Sequence, residues 1–176
     1  MSPTVVVMGV SGCGKSTIAG LIAEETGWDF LEGDELHPPS NIAKMSAGVP
    51  LTDEDRWPWL AAIAAWIHER ASAGRGAVVS CSSLKHAYRD RLRAGGHAGG
   101  VVFAHLDGPR AVLAERLARR THFMPASLLD SQFAALERLG PDELGLVVDL
   151  RLPPQEQADT ILSWLDSHRH DEGQAG

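Results

Sequence analysis

Within the nine consecutive residues Gly9-Val10-Ser11-Gly12-Cys13-Gly14-Lys15-Ser16-Thr17, the first eight satisfy the pattern G-x-x-x-x-G-K-[ST] completely. A glycine-rich turn of this kind can aim successive backbone N–H groups at phosphate oxygens, because Gly12 and Gly14 accept backbone angles and approaches that a Cβ would obstruct. The helix expected after it adds the positive end of its dipole. In this pattern Lys15 reaches the β and γ phosphates of ATP and Ser16 offers its hydroxyl to Mg²⁺, while Gly9, Ser11, Cys13 and Thr17 complete the cradle. The plain alternative is a chance glycine turn between a strand and a helix. Cys13 is expected to turn away from the chemistry, although a thiol inside such a loop could be oxidised.

Phosphoryl transfer asks little covalent chemistry of a protein. It needs an in-line hydroxyl, a group to orient or deprotonate that hydroxyl, and positive charge around the moving phosphoryl. Asp34, just beyond the second apolar run, can accept the proton of an alcohol; otherwise it is an ordinary capping or turn aspartate. The third apolar run ends in Ser80-Cys81-Ser82-Ser83, so the acidic Mg²⁺ partner that many phosphate-loop proteins carry there is missing.

The elements that must hold these groups read as an alternation of strands and helices. Thr4 to Met8 is an apolar, β-branched run closed by Gly9, after which Ile18, Leu21 and Ile22 recur at helical spacing until Gly27. Further strands are expected over Trp28 to Leu31, Ala77 to Cys81, Val101 to Leu106 and Leu146 to Leu150. The longest helix is expected over Asp55 to Ala73. There Trp59, Leu60, Ile63, Ala64, Trp66 and Ile67 share a face, and Pro58 falls in the first turn. Strands separated by crossover helices predict an α/β fold with a five-stranded, mainly parallel sheet covered on both faces, which binds ligands at the carboxyl ends of its strands. One domain over residues 1–168 and a flexible polar tail over 169–176 are expected.

At 176 residues and 44% hydrophobic, the chain can bury one substantial core. A net charge of −7, with lysines and arginines dispersed, lacks the basic excess that nucleic acid or an anionic membrane favours. Cys13 and Cys81 match no zinc or disulfide pattern, and no apolar stretch approaches the roughly 18 residues of a membrane span. A cytoplasmic protein acting on small molecules is expected, with no nucleic-acid or membrane partner.

The segment after the second strand is more specific. Gly33-Asp34, His37-Pro38, Asn41, Lys44-Met45, Gly48, Pro50-Leu51, Asp53, Asp55-Arg56 and Pro58-Trp59-Leu60 closely resemble the gluconate kinase family. Cys81 to Arg93 and His122 to Glu137 extend the resemblance, which covers about Val5 to Glu137. It implies ATP-dependent phosphorylation of the terminal hydroxyl of D-gluconate, within a three-layer, nucleoside-monophosphate-kinase-like P-loop fold with a lid, in a homodimer. For such a substrate His37 either bonds a sugar hydroxyl or stabilises the turn before Pro38. Arg56 is the best candidate to meet the carboxylate, since its planar fork matches one. Lys85, Tyr88 and Arg89 fall at i, i+3 and i+4 and could close over the same pocket.

Glu115 to Pro125 carries the charges of a lid, expected over about 116–126. Arg116 and Arg120 share a face, and one of them is expected on the γ-phosphate, with Arg120 also able to stack on adenine, while Arg119 pairs with Glu115. The family's Gly-His-Phe is Thr121-His122-Phe123 here, one residue closer to Arg116, and His122 is a further substrate candidate. Gln132 either reaches the substrate from the next helix or lies on that helix's surface. The rival is another small-molecule kinase of the same fold, for shikimate or a nucleoside monophosphate. A GTP-dependent switch would leave the acceptor-side residues unexplained, and its guanine-reading [NT]-K-x-D segment is missing.

Overall fold

A computed structural model describes residues 2–98, 100–119 and 126–174. Strands β1 (Thr4–Met8), β2 (Asp29–Glu32), β3 (Ala77–Ser80), β4 (Val101–Asp107) and β5 (Gly145–Asp149) form one sheet in the order β2-β3-β1-β4-β5. Every pairing is parallel, and the register sets Thr4 of β1 beside Ala77 of β3 and Val101 of β4. Val5, Val6, Val7 and Met8 are all fully buried, so both faces of the central strand are covered. This is why its sequence is a continuous apolar run and not an alternation.

The helices are α1 (Lys15–Thr26), α2 (Pro39–Ser46), α3 (Asp53–Ser72), α4 (His86–Arg93), α5 (Arg110–Ala118), α6 (Ala126–Ala135) and α7 (Pro154–Gln174), with a 3₁₀ turn at Gly33–Leu36. They pack as α1 with α7 and α3 with α4. The expected face of α3 is buried through Trp59, Leu60, Ile63 and Ile67, with Trp66 packed at its margin. Its start differs from expectation. Thr52 caps the helix in a capping box with Asp55, so α3 begins at Asp53 and Pro58 lies inside it, beyond the first turn. The carbonyl of Glu54, four residues earlier, therefore has no helical N–H partner; Glu54 and Pro58 are both exposed, which leaves that carbonyl to water. The polar stretch from Ser167, expected to fray, continues α7 as helix to Gln174. Residues 120–125 of the expected lid lie outside those described.

Since β2, β3 and β1 are neighbours, their carboxyl ends bring together the 3₁₀ turn, the loop before α4 and the glycine loop before α1.

Candidate active site

The glycine loop joins β1 to α1 with Gly14 as N-cap in the left-handed region, φ 97°. The N–H groups of Lys15, Ser16 and Thr17 in the first turn of α1 have no helical acceptor and are available to an anion. Gly12 has φ 84°, and a Cβ there would lie 3.1 Å from Leu117 Cγ, so glycine is required both by the angle and by the close passage of α5. Lys15 Nζ donates to the carbonyls of Gly9 (3.1 Å) and Val10 (3.2 Å). Ser16 and Thr17 are exposed, whereas Cys13 is buried with its sulfur against Gly9. The thiol is thus packed inside the loop, 4.0 Å from Lys15 Nζ, and the Cys13 N–H is donated to the Val10 carbonyl at 3.3 Å.

At the end of β2, Gly33 passes so close to β3 that a Cβ would lie 2.2 Å from the carbonyl oxygen of Ser80. This contact fixes the departure of the chain into the turn that carries Asp34. The Asp34 side chain is 71% exposed, with Oδ1 3.8 Å from His37 Nε2. His37 is buried and stacked on Trp59, centroids 4.0 Å apart, while Trp59 Nε1 donates to the Gly33 carbonyl at 2.8 Å. Burial pushes the His37 pKa down, against the pull of Asp34 and with the help of Arg56. The amide of Asn41 donates to the Asp55 carbonyl (2.9 Å) and lies 3.2 Å from His37 Nδ1, an arrangement that leaves the ring proton on Nε2, towards Asp34.

Opposite this turn, Arg56 Nη1 donates to Tyr88 Oη at 2.6 Å, Tyr88 donates to Asp53 Oδ1, and Lys85 Nζ donates to the same oxygen at 3.1 Å. The cluster borders a cleft of about 330 Å³ lined in part by Thr52, Asp53, Arg56, Lys85, Ser131 and Ala135. The bonds from Tyr88 and then Lys85 hold the Asp53 carboxyl below the usual range, and the bond to Asp53 raises the Lys85 pKa. Burial first, and then the bond to Asp53, raises that of Tyr88. Arg56, Lys85 and Tyr88 are therefore brought together as the sequence suggests. Asp53, their common anchor, escapes the sequence reading; the signal for it is the capping box, which places it in the first turn of α3.

Arg89 does not join them. It is fully buried against the equally buried Glu143, donating from Nε to Oε2 at 2.6 Å and from Nη2 to Oε1 at 2.9 Å. Its remaining N–H groups go to the carbonyls of Ser83 (2.8 Å), Leu84 (3.2 Å) and Arg138 (3.4 Å), so no donor is left for a substrate. The reason is that α4 begins at His86 and Lys85 is its extended N-cap, φ −106°, so the three residues do not follow one helical face. Arg116 Nη2 donates to the Leu150 carbonyl at 2.7 Å, at the carboxyl end of β5. Arg119 pairs with Glu115 as expected, at 2.5 Å, and Arg120 and His122 lie outside the described residues. Gln132 is neither on the substrate cleft nor on a free surface: its Oε1 accepts from the Ser11 N–H at 2.7 Å and its Nε2 donates to Ser11 Oγ at 2.9 Å.

Between loop and turn lies the end of β3. Burial pushes the Cys81 thiol up to about 11, against the hydrogen bonds from Ser83 that lower it. Beside it Ser80 Oγ donates to Glu32 Oε1 across the β2–β3 register. A carboxylate is thus present at this edge after all, supplied by the neighbouring strand, where only the strand pairing reveals it.

A family described as AAA domain matches residues 5–139. A gluconokinase of Gluconobacter oxydans (strain 621H) is 51% identical over 164 residues, which span 93% of this chain and 89% of that one. The crystal structure of a gluconokinase from Sinorhizobium meliloti 1021 superposes with a TM-score of 0.88 at 47% identity, covering 99% of this chain and 97% of that one. An unliganded sugar kinase from Janibacter sp. HTCC2649 gives 0.89 at 55% identity, covering 94% and 95%. With these identities over nearly the full length, and with the glycine loop and acceptor cleft at adjacent strand ends, the chain belongs to the gluconokinase family of phosphate-loop kinases.

Proposed function

We propose that the protein transfers the γ-phosphoryl group of ATP to the terminal hydroxyl of D-gluconate, giving 6-phospho-D-gluconate and ADP. The observation that carries this reading is the adjacency of β2, β3 and β1, which sets the turn bearing Asp34 and the phosphate loop bearing Lys15 at the carboxyl ends of neighbouring strands. A donor and an acceptor bound to these two groups would meet over one strand end.

In this mechanism Lys15 leaves the carbonyls of Gly9 and Val10 for the β and γ phosphates, and the N–H groups of Lys15, Ser16 and Thr17 at the start of α1 hold them. Asp34 accepts the proton of the attacking hydroxyl, with the Nε2–H of His37 holding its carboxylate or the neighbouring sugar hydroxyl. Arg56, oriented by Tyr88, takes the gluconate carboxylate, while Lys85 and Asp53 meet hydroxyls along the chain. The exposed hydroxyl of Ser16 is a hard oxygen donor at the helix start and would suit Mg²⁺, and the Glu32 carboxylate at the strand ends would be the acidic group to hold water around it. When bound, that ion supplies charge neutralisation at the phosphates. Arg116 belongs to the nucleotide side in this reading, near the segment after β5, and Arg120 and His122 are assigned to the closing lid. A cytoplasmic homodimer is the proposed setting. Two buried free cysteines suit a reducing compartment, and among the described residues no helix is long and apolar enough to cross a membrane.

Gluconate is preferred over shikimate or nucleoside monophosphates as acceptor because the relatives of high identity are gluconokinases. The test is an ADP-release assay across gluconate, related sugar acids, shikimate and nucleoside monophosphates, with the products identified. Gluconate is expected to dominate; faster turnover of another acceptor would remove the substrate assignment and leave the kinase chemistry standing.

A further inference from the structure

The amide of Gln132 makes a closed, two-point contact with Ser11 across 121 residues of sequence. Its partner atoms are complementary, since a carbonyl oxygen meets the loop's N–H and an amide nitrogen meets the hydroxyl. Neither half of that contact serves a ligand directly. It does hold α6 against the phosphate loop at the residue preceding Gly12.

The same helix also borders the acceptor cleft, through Ser131 and Ala135. Just past its end, the Glu137 N–H donates to the Leu84 carbonyl at 2.7 Å, and Glu137 Oε1 accepts from the His86 N–H at 2.8 Å. These two bonds grip the residues on either side of Lys85. Leu128 and Leu129 are buried and seat α6 in the body of the protein. Helix α6 and the two residues after it therefore bond the donor loop at Ser11, line the cleft with Ser131 and Ala135, and bond the backbone flanking Lys85.

From this arrangement we infer that α6 is a strut that fixes the acceptor cleft relative to the phosphate loop, and that Gln132 is a positioning residue for phosphoryl transfer, acting through Ser11. In-line transfer depends on the alignment of two substrates held by different elements, and a displacement of about 1 Å can lower a rate on the order of 10²-fold. Binding of each substrate alone does not depend on that alignment. Loss of Gln132 should thus lower turnover while leaving both ground-state affinities in place. It should also let water compete with a hydroxyl that is no longer held in line.

The inference rests on the phosphoryl-transfer reading above, so wild-type protein is first assayed with gluconate, and any failure of that reading is seen there before a variant is made. Gln132→Ala is then compared by steady-state kinetics with each substrate varied, by the ratio of ADP released to phosphogluconate formed, and by calorimetric binding of a non-hydrolysable ATP analogue. We expect kcat to fall about tenfold, both KM values and the analogue's affinity to stay within about twofold, and the ADP-to-product ratio to rise above one. Ser11→Ala, which keeps the N–H but loses the hydroxyl, should lower kcat by about threefold in the wild-type background and add nothing to Gln132→Ala. The second variant carries the test if Gln132→Ala is poorly folded. Unchanged kcat overturns the proposal. So does a loss confined to gluconate KM, which would return Gln132 to the substrate, or to ATP affinity, which would make it part of the nucleotide site alone; additive effects of the two substitutions would show that Gln132 does not act through Ser11.

Discussion

The phosphate loop draws its polar groups from nine consecutive residues, whereas the groups proposed to meet the acceptor come from separate elements: Asp34 after β2, Asp53 and Arg56 at the start of α3, and Lys85 and Tyr88 at the start of α4. The loop's shape is set locally, by Gly12 and Gly14 with positive φ and by the first turn of α1. The cleft exists only because the parallel sheet brings separate helix starts together. A side chain removed from the loop should therefore act on one step, while side chains around the cleft should divide into those that bind, those that react and those that hold the wall.

Lys15→Ala is the strongest test of the loop half of this contrast. It should lower kcat by about 10³-fold or more, because the cation that spans the phosphates in the transition state is gone. The melting temperature should shift little, since Lys15 bonds within the loop itself, to the Gly9 and Val10 carbonyls and the Cys13 sulfur. Near-normal turnover would dissolve the comparison.

Arg89→Met tests the wall. With its partner removed, Glu143 is left buried and uncompensated, and stability should drop by about 3–5 kcal/mol in a denaturant titration. Any folded fraction should keep its gluconate KM, because Arg89 has no donor facing the cleft. A large rise in KM at unchanged stability would place it in the substrate site after all.

Asp34→Asn and Arg56→Ala then separate chemistry from binding within the cleft. The first should lower kcat by about 10²-fold with a smaller change in gluconate KM. The second should raise gluconate KM by about tenfold and leave that of ATP alone, since a charge-assisted contact made in ground and transition states is lost. Steady-state kinetics with each substrate varied, after circular dichroism confirms folding, reads both. An Arg56→Ala protein weakened for ATP would move that arginine to the donor side.

What could be read from the sequence follows the same division. β1 runs from Thr4 to Met8 as its β-branched composition indicates, and the residues from Gly9 to Thr17 form the loop their spacing prescribes. Such features depend on neighbours in the chain. The start of α3 was displaced by two residues because Pro58 suggests a first turn, while the stronger signal, Thr52 opposite Asp55, lies upstream of it. Tyr88 and Arg89 look equivalent by helical spacing, yet the backbone of Lys85 is extended, and the two side chains part towards Asp53 and Glu143. Glu32 beside Ser80 depends on strand register and Gln132 on Ser11 on a contact across 121 residues, neither of which local periodicity encodes.

The position of β1 bears on the order in which the protein comes into being. The strand that leads into the phosphate loop leaves the ribosome before its two neighbours in the sheet, which start at residues 77 and 101. Until both are available, the Val-rich segment has no partner on either side, and the entropy of closing such long connections must be met before its pairing is rewarded. Competence to hold a nucleotide thus arises only after Asp107 has emerged, although the motif that confers it is made before either neighbouring strand.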